Sequence, residues 1–300
     1  MALQENISPA IAPEIPVTPD QADFSRQSPL REFLRRPLTV FFLIILAAII
    51  GLCFVGPYFS HSPTLTAFIP LQAPGAENLA GTDHLGRDML ARLMRGGQVS
   101  IFVGLSVAAI CLTVAIVVGG LAGFYGGIAD VLLMKLSEFF QVIPGIILAL
   151  VSVALLGASL EIIILILSIT MWPQVARILR AECMRIRELG YVESSRAAGF
   201  RPIRIFFFDV LPNAFPPVLV ATTMTVGRAI LAESGLAFLG LGDANQPSWG
   251  ALLYSAQAYL QIAWWLTVLP GLAIFIVVLA VNMLGDILND CLNPMLSRVK

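Results

Sequence analysis

The chain is poor in charge and in the residues that carry most soluble chemistry. Only 12% of its 300 residues are Asp, Glu, Lys or Arg, against about 25% in a typical soluble domain. Its only lysines are Lys135 and Lys300, neither follows a glycine, and no GxxxxGK[ST] loop exists. A nucleotide's phosphates need a cradle of backbone amides and a lysine, so the sequence offers no ATP site of its own. The only histidines, His61 and His84, are too few for a histidine-rich metal path, and His84 is not assigned as a ligand. The four cysteines, Cys53, Cys111, Cys183 and Cys291, have no CxxC spacing and read as free thiols. A net charge of −1 gives no sign of nucleic-acid binding. No nucleophile–base pair or metal cluster suggests a membrane-bound enzyme.

What the chain has is apolar length. It is 58% hydrophobic, and several runs approach or exceed the ~20 apolar residues that cross a bilayer. Without the period-2 pattern of a barrel, these runs predict an all-α membrane protein, a bundle of about six transmembrane helices. The spans fall near 38–55, 101–122, 132–156, 162–179, 213–232 and 264–284. Residues 1–30, with Pro9, Pro13, Pro16 and Pro19 among them and little apolar content, read as a disordered tail before a transmembrane domain over 31–300. They lack the basic start and apolar stretch of a secretory signal peptide.

Charge sets the orientation. Arg31, Arg35 and Arg36 precede the first span, and Arg180, Arg185, Arg187, Arg196, Arg201 and Arg204 cluster after the fourth. The positive-inside rule places both groups in the cytoplasm, and four crossings from an inside N-terminus agree. Both termini are then cytoplasmic. Between these regions, Asp83 is placed to cap an amphipathic surface helix over Gly81–Gly97, with an Asp88–Arg92 pair at i,i+4. The small-residue end of the second span, GGLAGFYGG, allows close helix approach. Pro144 should kink the third span. Arg228 and Glu233 lie at membrane depth, where an uncompensated charge costs about 2.5–3.5 kcal/mol. They read either as lining or gating a path, or as an ion pair or partner contact. Five residues apart, they are poorly placed to pair with each other.

The most informative stretch is 190–212. Gly190 is read as closing the preceding helix, a short helix follows over about 192–198, and Gly199 ends it in a left-handed turn. Pro202 opens a second helix and Pro212 stops it. The product is a stiff, water-exposed helix-turn-helix between two spans.

This stretch resembles the EAA loop of bacterial ABC-importer permeases at Glu193, Ser194, Ser195, Gly199, Leu211 and Pro212. It departs from that pattern in having serines where alanines are usual, and in Asp209. GTDHLGRD and ESGLAFLGLG with Trp249-Gly250 resemble the peptide and nickel importer family, and the three strings in this order are similar to its DppC- and OppC-like permeases. The resemblance covers about residues 30–298. It implies a type I ABC importer permease in a bacterial inner membrane, non-catalytic, with 190–212 as the ATPase-coupling loop. It also implies a homologous DppB/OppB-like permease, two ABC ATPase subunits that use ATP and Mg, and an extracytoplasmic binding protein. This chain would bind no cofactor itself. The cargo would be di- or oligopeptides or a related small solute such as a nickel complex or glutathione. The alternative from the residues alone is a stand-alone secondary transporter or channel with an Arg228/Glu233 relay.

Overall fold

The computed structural model describes residues 29–292; the proline-rich tail expected over 1–30 lies almost wholly outside them. A short helix α1 (Pro29–Arg35) leads into α2 (Pro37–Val55), which opens on a proline where no amide partner is needed. Its apolar side chains, Phe41 and Ile44 among them, stay exposed on the isolated chain, as suits a helix whose solvent is lipid. The remaining long apolar helices are α3 (Met89–Tyr125), α6 (Leu160–Arg187), a rod over Pro202–Leu241, and α11 (Trp265–Leu292). A bent pair, α4 (Gly127–Val142) and α5 (Gly145–Leu156), makes a sixth crossing if the two halves are one span. They meet at Pro144 with a bend of 76°, the kink expected there.

Two local readings change. The stretch Gly81–Gly97 is not a separate surface helix. Gly81–Arg87 is a tight loop with an isolated bridge from Thr82 to Asp88, and Asp88 rather than Asp83 caps α3 by accepting from the Leu90 amide. Helix α3 then runs unbroken for 37 residues, about 55 Å at 1.5 Å per residue. Gly96 and Gly97 do not break it, because both are contact points: a Cβ on Gly97 would stand 2.7 Å from the Trp249 ring.

Pro212 likewise does not stop a helix. The chain from Pro202 through α8 (Pro202–Ile205), a π turn (Phe206–Val210), α9 (Leu211–Leu236) and a second π turn (Ala237–Leu241) forms a 40-residue rod. The wide first turn interrupts the i→i−4 ladder just where Pro212 lacks a donor, a usual way for a helix to pass a proline. Asn213 Nδ2 donates to the Asp209 carbonyl at 2.7 Å, and Tyr191 Oη donates to it at 3.3 Å. The glycine-rich segment after Glu233 stays helical to Leu241, with only Gly240 leaving helical geometry at φ 84°.

Helices α3, α6 and α9 form the centre, with Val103, Val107, Val175 and Leu179 buried between them. Small residues set the α3–α6 seam. A Cβ on Gly123 would lie 2.5 Å from the Arg180 carbonyl oxygen, and Gly119 meets the Ala176 backbone more closely still. A second apolar cluster gathers α2, α3, α10 (Trp249–Ala256) and α11 around Trp249. All four cysteines are free and buried.

Candidate functional site

The arginine-rich end of the bundle carries a projecting helix-turn-helix built on core helices. Helix α6 ends at Arg187, so Gly190 does not close it; Gly190 is the first residue of α7 (Gly190–Ala197). The turn after α7 is closed twice: the Gly199 amide donates to Arg196 O at 3.0 Å and the Phe200 amide to Ser195 O at 3.3 Å. This paired closure requires a left-handed residue, and Gly199 supplies it with φ 78°. The next helix starts at Pro202, and Arg204 stacks 4.0 Å over the Phe200 ring.

Four buried side chains anchor this unit: Val192 from α7, with Ile205, Phe206 and Val210 from the start of the rod. Phe206 packs against Gly120 of α3, where a Cβ would stand 2.7 Å from its ring. Arg187 Nη1 donates to Gly123 O at 2.9 Å, pinning the end of α6 to the end of α3. Arg180 pairs with Asp130, with Nη2 to Oδ2 at 2.6 Å, tying α6 to α4. Above these anchors Glu193, Ser194, Gly199 and Pro212 are exposed, whereas Ser195 and Leu211 are half-buried. Ser194 Oγ donates to Gly190 O at 2.9 Å within its own helix. The exposed surface thus carries Glu193 and Ser194 beside larger side chains such as Tyr191 and Phe200, and it is fastened to α3, α6 and the rod.

At the other end, the remaining sequence strings converge. Asp83, 2% exposed, accepts from the amides of Leu85 and Arg87 at 2.9 Å and from Arg87 Nε at 2.7 Å. It also pairs with Arg92, the residue expected to pair with Asp88. Burial acts to raise the Asp83 carboxyl, but the Arg87 amide, the Arg92 charge and the Arg87 guanidinium hold it below the ordinary carboxylate value. His84 stacks on Tyr259, with ring centroids 5.2 Å apart.

Trp249, fully buried, donates Nε1 to Leu93 O at 2.9 Å and its amide to Ser100 Oγ at 3.2 Å. Ser100 Oγ in turn donates to Glu233 Oε2 at 3.3 Å, and Ser234 Oγ lies 3.4 Å from the same oxygen. Gly250 abuts Ser234 so closely that a Cβ would stand 2.5 Å from its Cα. Glu233 and Trp249-Gly250 thus belong to one polar knot joining α3, α9 and α10. This meeting spans 149 residues between Ser100 and Trp249, and no spacing in the sequence announces it.

Arg228 and Glu233 do not touch. Arg228 is exposed on α9 and donates Nη1 to Gln174 Oε1 of α6, a partner the sequence did not single out. Glu233 is enclosed, at 2% exposure.

This architecture has known counterparts. Residues 115–298 match the family model for a binding-protein-dependent transport system inner membrane component, and residues 24–79 match the N-terminal TM domain of oligopeptide transport permease C. A putative peptide transport system permease protein of Brucella suis is 37% identical over 269 residues, 89% of each chain. The di/tripeptide transport system permease protein DppC of Pseudomonas aeruginosa is 41% identical over 229 residues, 76% of each chain. The glutathione transport system permease protein GsiD of Pectobacterium atrosepticum is 33% identical over 284 residues, 91% of this chain and 94% of that one. Among solved structures, a chain of the MetNI methionine ABC transporter in its inward-facing conformation shares the fold. Its TM-score is 0.56 at 23% identity, over 68% of this chain and 97% of that one. With the helical bundle, the matched models and these relatives in agreement, the chain belongs to the inner-membrane permease family of binding-protein-dependent transport systems.

Proposed function

We propose that this chain is one of two permease subunits of an ATP-driven importer for di- or oligopeptides or a related small solute. The observation that carries the proposal is the exposed α7–Gly199–α8 unit, anchored through Val192, Ile205, Phe206 and Val210 to the helices that cross the membrane. A rigid projection at one end of a bundle transmits force to every helix it is fastened to. Cytoplasmic ATPases would grip Glu193, Ser194 and Ser195, with Gly199 setting the turn and Leu211 and Pro212 leading into the rod. Their closure on ATP would swing the bundle from outward-open to inward-open, a rigid-body change. Coupling requires the ATP-bound ATPases to favour one permease state over the other. Orientation supports this arrangement: arginines crowd the unit's end, as the positive-inside rule requires of a cytoplasmic face, and both termini then lie inside.

The partners in this reading are a homologous permease, two ATPase subunits that bind ATP and Mg, and an extracytoplasmic binding protein that delivers the solute. This subunit is non-catalytic. Arg228, exposed at membrane depth, would contact the path, whereas enclosed Glu233 would hold the polar knot at the outer end. Purification of the tagged chain from its own membrane tests the reading: ATPase and second-permease subunits should co-purify, and uptake in proteoliposomes should require ATP and binding protein. Uptake by the chain alone, driven by an ion gradient, would overturn it in favour of a secondary transporter.

A further inference from the structure

Gln174 sits at the midpoint of the 28-residue α6, about 20 Å from either end. Its contact with Arg228 places a guanidinium inside the stretch 162–179 expected to cross the bilayer, about five residues, roughly 8 Å, before its arginine-rich end. One turn further along α6, on the same face, is Arg177. Arg177, Gln174 and Arg228 are all exposed on the single chain. Among the described residues neither of these arginines has an ion-pair partner. Gln174 accepts from one Nη of Arg228, leaving the rest of its five donors for something else.

In the opposite direction along the same two helices an apolar groove begins. Its volume is about 370 Å³, and Gly145, Ala149, Thr170, Met171, Leu231 and Gly235 line it. Thr170 and Met171 are one turn from Gln174, and Leu231 is one turn from Arg228. The volume lies within the range of small-molecule sites, about 300–1,000 Å³. A cation at one end of an apolar trough is complementary to an anion that carries an apolar side chain. Lipid tails alone would leave the guanidiniums without a partner, at a cost of several kcal/mol.

We propose that Arg228, positioned by Gln174, receives the free C-terminal carboxylate of a peptide in transit, that the α5–α6–α9 groove takes the peptide's last side chain, and that Arg177 takes over the carboxylate one turn further inward. This rests on the importer reading above and adds the solute's chemistry to it. A neutral glutamine is a suitable companion for such a cation. An aspartate or glutamate there would satisfy the guanidinium permanently, whereas passage requires binding weak enough to release.

The test uses the whole importer in proteoliposomes, with tritiated di- and tripeptides ending in leucine or phenylalanine. Uptake should fall about tenfold or more in Arg228→Gln and be largely kept in Arg228→Lys, as loss of one charge-assisted hydrogen bond predicts. Co-purification of the ATPase subunits with both variants should match wild type, so that lost uptake is not lost assembly. p-Benzoylphenylalanine in place of Leu231 should cross-link to the labelled peptide during turnover. Normal uptake in Arg228→Gln overturns the proposal, and so do Leu231 cross-links confined to the partner permease or to lipid. Where Arg228→Gln fails to assemble, the Leu231 cross-link decides. If the wild-type importer takes up none of these peptides, the importer reading itself fails for peptides, a separate outcome.

Discussion

Gly199 offers the cleanest perturbation of the proposed coupling unit. Its φ of 78° lies in the left-handed region, and a Cβ built there meets nothing within 4 Å. Replacement therefore introduces backbone strain with no steric collision. A β-branched residue held left-handed costs about 1–2 kcal/mol. If the turn relaxes to escape that cost, it gives up the Gly199–Arg196 and Phe200–Ser195 hydrogen bonds, at about 0.5–1.5 kcal/mol each. Either way the intact turn loses about 1–2 kcal/mol relative to opened forms, a factor of about 5–30 in their ratio. Because Val192, Ile205, Phe206 and Val210 anchor the unit on both sides of the turn, the bundle itself should remain folded. Gly199→Val should thus yield an importer that assembles but moves several-fold less solute per ATP hydrolysed. Gly199→Asn should stay close to wild type, since asparagine tolerates this region, with Gly199→Ala between them. The assay is uptake and phosphate release measured on the same proteoliposomes. A valine variant coupled like wild type, or an asparagine variant as impaired as valine, would refute the reasoning.

Other positions give independent checks. Gly123→Leu should prevent close packing of α3 on α6 and abolish recovery of folded protein from detergent, measured by size-exclusion profile; the seam has no room even for a Cβ. Trp249→Ala should destabilise by about 3–5 kcal/mol, whereas Trp249→Phe should lose about 1 kcal/mol with the Leu93 bond, both read as thermal unfolding shifts. Glu233→Gln should keep the knot through its amide, while Glu233→Ala should loosen it by roughly 1–3 kcal/mol by leaving the Ser100 hydroxyl without its acceptor. Asp83 makes a pH prediction. Its carboxyl is held below its ordinary value of about 3.9, so its contribution is fully present above that pH and is lost as pH falls through the lower folded value. Asp83→Asn should lower stability at neutral pH and flatten the acid side of the unfolding profile.

Much of this organisation is legible from composition and punctuation. Apolar runs mark the long helices, Pro144 marks the break between α4 and α5, and Gly199 with Pro202 marks the turn at the arginine-rich end. What is not legible depends on tertiary contact. Gly96 and Gly97 look like breakers until Trp249 is seen packed on them, so a surface helix and a span merge into α3. Pro212 looks like a stop, but a π turn carries the helix past it, and no residue pattern announces that turn. Asp83 and Asp88 both suit a helix cap; what decides between them is that Asp83 is occupied by Arg87 and Arg92. Gln174 is an ordinary polar residue in sequence and becomes a site residue only because α9 brings Arg228 against it.

The most direct measurement concerns the exposed face of α7. All four native cysteines are free and buried, so Glu193→Cys would provide one accessible thiol on that face. A bismaleimide added to inside-out membrane vesicles should join position 193 to an ATPase subunit, in a yield that changes when ATP is supplied. A thiol at 193 that is instead labelled by an impermeant maleimide added outside intact cells, with no ATPase adduct from either side, would contradict the account.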